Sequence, residues 1–424
     1  MLDINFIREN KDLIDLGAKK KRIDFNVEDL IKADDKRKEA LGVVEKMRAE
    51  QNVYASKISQ VNDPVQRESL INESKKIKEE LQKKEEELRE VMKEWQLQMV
   101  RVPNIPDMSV PEGEDDSQNV EVKTWGEIPK FSFTPRNQVE LLEKQDMADF
   151  DRGAKVAGFR GYFLKNDAVI LNFALWQFAF KFFVDKGFTP LLAPSMVKRN
   201  CFMGTGYLPQ GEEDLYKTQD GDFLAGTAEV STMGYYMDEI LPKDKLPTKF
   251  ISFSPCFRRE AGSHGKDTKG IYRVHEFFKF EQVMLCEASH TTSVELHEEL
   301  TRNVEEFMQA LGIPYHIVVN CGGDLGLGQV KKYDIEAWVP SENKYRETHS
   351  SSYFHDFQTR RLNIRYRDDD GVLKFAHSLN NTAVASPRIF ISLIENYQQE
   401  DGTIKVPKVL VPFVGKEFLG KPIF

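Results

Sequence analysis

Between about residues 34 and 100 the apolar positions recur at spacings of mostly three and four. Ala40, Val44, Met47, Gln51, Tyr54, Ile58 and Val61 form one seam, with a glutamine in register. Leu70, Ile77, Leu81, Leu88, Val91 and Trp95 form a second, weakened locally by Lys84. Such alternation marks a coiled-coil stripe. Between the two runs stands Asn62-Asp63-Pro64-Val65-Gln66. Asp63 can cap a new helix, Pro64 suits its first position, and Gln66 sits where a capping-box partner would. The pattern predicts two helices folded back on each other as an antiparallel hairpin, each about 40 Å long or more at 1.5 Å per residue.

Past the hairpin the chain reads Val102-Pro-Asn-Ile-Pro-Asp-Met-Ser-Val-Pro-Glu-Gly-Glu-Asp-Asp, whose prolines exclude helix and whose acidic run excludes a core. Beyond it, β-rich runs at Phe250–Phe257, Phe277–Leu285, Tyr315–Val319 and Asp334–Val339 alternate with amphipathic stretches without a regular βαβ rhythm. That pattern implies a mainly antiparallel sheet with helices, an α+β domain. The expected organisation is a helical arm over residues 1–105, a linker over 106–125 and a sheet domain over 126–424. The most apolar stretch, Ala168 to Phe180, carries Asn172 and Gln177 and ends at Lys181, too short and too polar to span a bilayer. The start, Met1-Leu-Asp-Ile-Asn-Phe, has no basic and apolar leader pattern.

A net charge of −9 argues against a generally basic surface, so any nucleic-acid partner has to be held by local patches. The cysteines, Cys201, Cys256, Cys286 and Cys321, are scattered without CxxC spacing. That excludes a thiolate zinc site and a disulfide framework as expectations, and fits a reducing cytoplasm.

The richest segment runs from Pro255 to Glu281: Pro-Cys-Phe-Arg-Arg-Glu, a loop of Gly, Ser, Lys and Asp, then a second strand beginning near Arg273. Arg258 and Glu260 lie two apart, which on a strand sets them on one side. An arginine presents a planar fork of donors suited to phosphate. Phe277, on the returning strand, offers a ring to a purine. Singly, an Arg–Glu pair is usually a surface ion pair and a strand phenylalanine usually core.

The whole segment resembles motif 2 of class II aminoacyl-tRNA synthetases in its seryl version. Gly187-Phe-Thr-Pro-Leu-Leu-Ala-Pro194 resembles motif 1, which builds the dimer interface in that family, and Phe390 to Gln398 after Arg388 resembles motif 3. Val110-Pro-Glu-Gly-Glu-Asp-Asp, Arg152-Gly-Ala-Lys-Val-Ala-Gly, Gly204-Thr-Gly-Tyr-Leu-Pro, Asp356-Phe-Gln-Thr-Arg-Arg and the arm extend the likeness over nearly the whole chain.

The resemblance implies a class II antiparallel sheet flanked by helices, a homodimer, and ATP-dependent activation of L-serine followed by transfer to tRNA-Ser, and to tRNA-Sec where that exists. No membrane partner is implied. The catalytic residues it implies are Arg258, Glu260 and Arg388. Its ATP-binding set is Arg258, Arg259, Glu260, Val274, Phe277, Glu347, Thr348, His349, Ser350 and Arg388. In that set Arg258 is on the α-phosphate, Arg388 on the γ-phosphate, and Glu347 also on Mg²⁺. Its serine-binding set is Thr227, Ala228, Glu229, Glu281, Asn380 and Thr382. Lys266 and Lys269 would meet the tRNA acceptor end, and the arm would grip the long variable arm of tRNA-Ser by shape and backbone. In two places the chain departs from the family pattern: the Thr-x-Glu loop has Leu-Ala-Gly before it and Ser231-Thr-Met after it, and the stretch ahead of the motif 3 arginine differs. Bacterial members usually read Leu-Asn-Gly-Ser-Gly ahead of the motif 3 arginine, whereas this chain reads Leu379-Asn-Asn-Thr-Ala383.

Overall fold

The computed structural model describes residues 1–262, 265 and 267–422. The chain divides into two compact units, one of Met1–Lys19 and Ile23–Pro103, the other of Lys20–Arg22 and the chain from Asn104 onward.

The smaller unit is dominated by the helices Val27–Gln60 and Pro64–Met99. The Asp63 carboxylate accepts from the Val65 amide and Pro64 opens the second helix, as the turn sequence predicts. Such a cap contributes about 1 kcal/mol. Every named seam position is shielded, from Ala40 to Val61 and from Leu70 to Trp95, while the residues between them are mostly exposed. Val44 and Leu81 are buried. Cross-helix contacts supplement the stripe: Arg48 donates to Glu85 at 2.7 Å, and the Arg37 guanidinium lies 4.7 Å from the Trp95 ring centre.

The larger unit is built on an eight-stranded sheet. In chain order its strands are β1 (Val120–Trp125), β2 (Thr189–Leu192), β3 (Thr248–Phe257), β4 (Glu276–Cys286), β5 (Tyr315–Val319), β6 (Lys331–Val339), β7 (Lys344–His355) and β8 (His377–Ser386). They lie in the order β1-β5-β6-β7-β8-β4-β3-β2. Neighbours are antiparallel except β2 and β3, which are parallel. The four strands expected from sequence are β3 to β6, each extended by at most a few residues. The stretch read as a linker is tied down instead: Val110 is buried, Asn119 accepts from the Cys321 amide, and Val120–Trp125 is the edge strand β1.

One face of the sheet is covered by the helices Asn166–Asp185, His290–Leu311 and Arg388–Asn396, which share a single apolar core with it. Trp176 packs edge-on against Phe253 and Phe280 at 5.3 and 5.6 Å. The apolar stretch read as too short for a membrane belongs to the 20-residue helix Asn166–Asp185, which has the length and hydropathy of a span. Its residues Leu171, Leu175 and Phe183 are buried in the core.

Candidate active site

On the opposite face the sheet floors a cavity of about 350 Å³. The two-residue period of a strand decides which side chains reach it. Along β4, Phe277, Lys279 and Glu281 face the cavity, while Phe280 and Met284 join the helix-side core and Gln282 bonds to Asn303 of the helix His290–Leu311. Along β8, Asn380 and Thr382 face the cavity. Thr382 stands opposite Glu281 in the β4–β8 register.

One end of the cavity is rich in arginine. Strand β3 ends at Phe257, so Arg258 and Glu260 leave it in sequence. Both line the cavity, but not through strand alternation: Glu260 has a left-handed backbone, φ +55°. The Glu260 carboxylate accepts from Arg273 at 2.7 Å. Burial opposes its charge, but Arg273, with Arg258 and Arg160, holds its pKa below the usual carboxylate range. The Arg258 guanidinium lies 5.3 Å from the Phe277 ring centre, and its Nε donates to the Gly226 carbonyl at 3.3 Å. Arg388 opens its helix at the end of β8 and pairs with Glu347 at 3.0 Å. Burial works against both charges. Each offsets that cost for the other, so the Arg388 pKa is raised and that of Glu347 lowered. The Glu347 side chain keeps 43% of its surface open. Two fixed guanidiniums and an ionised, accessible carboxylate form a set suited to a polyphosphate with its divalent cation.

The other end is acidic and enclosed. Thr227 caps the helix Ala228–Gly234 and also donates to Glu281 at 3.3 Å. Glu281 is ion-paired with Lys279, and both are buried. Glu229 accepts from the Tyr207 hydroxyl at 2.9 Å and from Gln358 at 2.6 Å. Burial, with the Glu281 charge adding, pushes the Glu229 pKa up to about 6. Buried carboxylates beside hydroxyls can hold a small polar cation such as an amino acid's ammonium and read a hydroxyl group.

Most residues expected at the site converge here: Thr227, Glu229, Arg258, Glu260, Val274, Phe277, Glu281, Glu347, Thr348, Ser350, Asn380, Thr382 and Arg388 all line the cavity. Arg259, Ala228 and His349 are not among its walls. His349 alternates to the other face of β7, where burial drives its pKa down to about 3. Ala228 is buried inside its helix, and the Arg259 amide bonds to the Asp214 carbonyl. Lys269 is exposed, whereas Lys266 lies outside the described residues. Among the described residues no cluster of three or more His, Cys, Asp or Glu is arranged for a metal ion.

Sequence reading missed several wall residues. Tyr272 lies under both Arg346 and Arg388, at 3.7 and 4.8 Å from its ring centre, and its hydroxyl donates to the Glu347 carbonyl. Lys279 was available from the same alternation that selects Phe277 and Glu281. The departure at residues 381–383 falls mostly outside the cavity: Asn381 accepts from Gln282 at 2.6 Å on the helix side and Ala383 joins the core, so only Thr382 meets the cavity.

Residues 216–397 match the family described as tRNA synthetase class II core domain (G, H, P, S and T), which defines the sheet and its cavity as those of a class II aminoacyl-tRNA synthetase. Residues 1–106 match the seryl-tRNA synthetase N-terminal domain. The serine–tRNA ligase of Deinococcus radiodurans is 46% identical, covering 100% of both chains, and that of Treponema denticola is 40% identical over 99% of this chain and 100% of its own. Among solved structures, the seryl-tRNA synthetase of Pyrococcus horikoshii complexed with ATP superposes with a TM-score of 0.89 at 39% identity, covering 100% of both chains. The cytoplasmic enzyme of Naegleria fowleri in complex with AMP gives 0.85 at 29%, covering 99% of both. The chain belongs to the seryl-tRNA synthetase family, class II enzymes that ligate serine to tRNA-Ser.

Proposed function

We propose that this chain activates L-serine with ATP and transfers it to tRNA-Ser, the arginine-rich end of the cavity holding the nucleotide and the acidic end the amino acid. The observation that carries this reading is the tether between Arg258 and the carbonyl of Gly226. It brings a phosphate-binding guanidinium to the residue that precedes Thr227, at the junction of the two ends. A serine carboxylate and an α-phosphate held across that junction are neighbours. The carboxylate oxygen attacks the α-phosphorus in line, the bond to the bridging oxygen breaks, and pyrophosphate leaves. In the second step the terminal ribose hydroxyl of the tRNA attacks the seryl carbonyl and AMP leaves. No protein nucleophile is required. Positioning and charge neutralisation supply the rate.

The residue roles follow the chemistry. Arg258 takes the α-phosphate and Arg388 the terminal phosphate. Phe277 offers its ring to adenine, and Glu260 orients Arg273. Glu281 and Thr382 read the serine hydroxyl, a contact that alanine cannot make. Glu229 supplies negative charge facing the ammonium. Mg²⁺ is held in other proteins by one or two carboxylates plus phosphate oxygens, and the open, ionised Glu347 fits that mode. When bound, the ion would screen the phosphate charges. The arm is assigned the long variable arm of tRNA-Ser and Lys269 the acceptor end. Working as a homodimer fits the apolar residues left exposed beside β2, and a reducing cytoplasm fits four free, buried cysteines.

The test is serine-dependent ATP–pyrophosphate exchange, run with each amino acid in turn. Serine alone should support it, and Arg258→Ala should lower it at least 100-fold with the thermal melt unchanged. Exchange within a few-fold of the parent would remove Arg258 from its role.

A further inference from the structure

The segment Gly326–Gln329 forms a wall of the cavity. It connects to the acidic end. Gln329 Nε2 donates to Ser352 Oγ at 2.8 Å, and Ser352 stands opposite Asn380 in the β7–β8 register. Gly328 has no room for a side chain, since a β-carbon there would fall 2.6 Å from the Phe357 ring. The wall is therefore set by close backbone packing, and whatever holds its carbonyls sets its position.

The Gln329 amide donates to the Gly326 carbonyl at 3.2 Å within the segment, and two residues far from it in sequence hold the carbonyls from outside. Lys21 is buried, and its Nζ donates to three carbonyls: Gly326 at 3.0 Å, Leu327 at 2.9 Å and Gln329 at 2.5 Å. Three acceptors match the three hydrogens of an ammonium. Asn104 completes the hold. Its amide donates to Leu327 O at 2.9 Å, and its side chain bridges Gly328 O and Phe354 O at 3.0 and 2.8 Å. Lys21 stands just before the long helices in the chain and Asn104 just after them. Both cluster with the larger unit rather than with those helices.

We infer that Lys21 and Asn104 are positioning residues for serine: they fix the carbonyls of Gly326–Gln329 and thereby the wall of the amino-acid end. An ammonium is well suited to this task, because one point donor can gather carbonyls whose directions diverge, and a buried carbonyl left without a donor is costly. This role rests on the assignment of the acidic end to serine.

The experiment compares Lys21→Met, Asn104→Leu and Glu281→Ala in the full-length enzyme by pyrophosphate exchange, with KM for serine and for ATP measured separately and thermal melts recorded. Lys21→Met preserves length and removes the donors. It should raise KM for serine at least fivefold while KM for ATP stays within twofold, and Asn104→Leu should give the same split. The double variant should be little worse than the worse single one, since both act on one segment. Equal changes in both KM values, or a lower melting temperature with both KM values unmoved, would overturn the inference. If Lys21→Met does not fold, the Asn104→Leu split decides by the same criterion. Glu281→Ala separates the two claims. A serine KM raised by Glu281→Ala but not by the other two defeats the positioning role alone. One raised by Lys21→Met and Asn104→Leu but not by Glu281→Ala defeats the assignment of Glu281 instead.

Discussion

Glu229 is a cavity residue whose chemistry is exposed to pH. Its pKa is pushed up to about 6 by burial, with the Glu281 charge adding. Two consequences have definite signs. The folded chain holds this proton more tightly than the unfolded chain, so the contribution to stability is present at low pH and is lost as pH rises through about 6. Its size is at most about 2 kcal/mol. In the role proposed for Glu229 the anion is the form that would face a serine ammonium, so KM for serine should rise as pH falls through 6, up to about tenfold per unit. Glu229→Gln should flatten that limb in a pH 5–8 series. A wild-type KM that does not change across the window would remove Glu229 from ammonium binding. Much of this candidate site was legible through the likeness of ordered motifs rather than residue by residue, because an Arg–Glu pair or a strand phenylalanine taken alone reads as a surface ion pair or as core. What was not legible depended on facing. His349 sits in a run of four expected ligands, yet a strand turns every second residue away, and the bulge at Thr348 changes the count. The Asn381 and Ala383 departures looked like pocket changes until the pleat of β8 assigned them to the helix side.

At the scale of elements the arm was the easiest part to read. A seam of apolar residues at three and four spacing suits a helix packed along one stripe and fits no strand, and each of its positions is shielded. Strand β1 was not readable. Its first five residues are exposed at the sheet edge and it follows a proline-rich acidic run, so nothing in its sequence advertises burial. The arm also carries its own prediction. Lys57, Arg67, Lys75, Lys76 and Lys78 are exposed toward the turn at Asp63. They give an RNA backbone several contacts at once, and such contacts weaken together as salt rises. Excising Asn52 to Ser74 and closing the gap with a short turn removes Lys57 and Arg67 together with the shape of the tip, leaves Lys75, Lys76 and Lys78 in the chain, and should leave serine-dependent pyrophosphate exchange near normal. It should raise the tRNA-Ser concentration needed for charging at least tenfold. Charging at the parent's tRNA concentration would make the arm a structural element rather than a grip.

At the scale of the whole molecule, the helix Asn166–Asp185 has two apolar sides, and one of them is packed into the domain core. Leu171, Leu175 and Phe183 are buried against the sheet, while Ile170, Phe173 and Phe180 are 42%, 60% and 45% exposed. Nearby, Leu192 ends the edge strand β2 with 82% of its surface open, and Phe278 is 40% exposed where it stacks on Phe253. An apolar face of this kind calls for a partner. The helix has the length and hydropathy of a membrane span, but its other side already serves the core of an enzyme domain. A second copy of the chain is the partner that agrees with the motif 1 likeness of Gly187–Pro194, and a two-fold contact would set like against like. Strand β2 pairs with β3, whose end delivers Arg258 to the cavity, so loosening this edge should be felt at the site. Sedimentation equilibrium should give the parent twice the 48.9 kDa of one chain. Leu192→Asp combined with Phe173→Asp buries two charges in the proposed contact and should yield single chains. Its exchange activity per chain should fall at least tenfold at low protein concentration and recover in part as concentration rises. A parent that sediments as one chain, or a double variant that keeps twice the mass and full activity, would assign this apolar face to something other than a second copy.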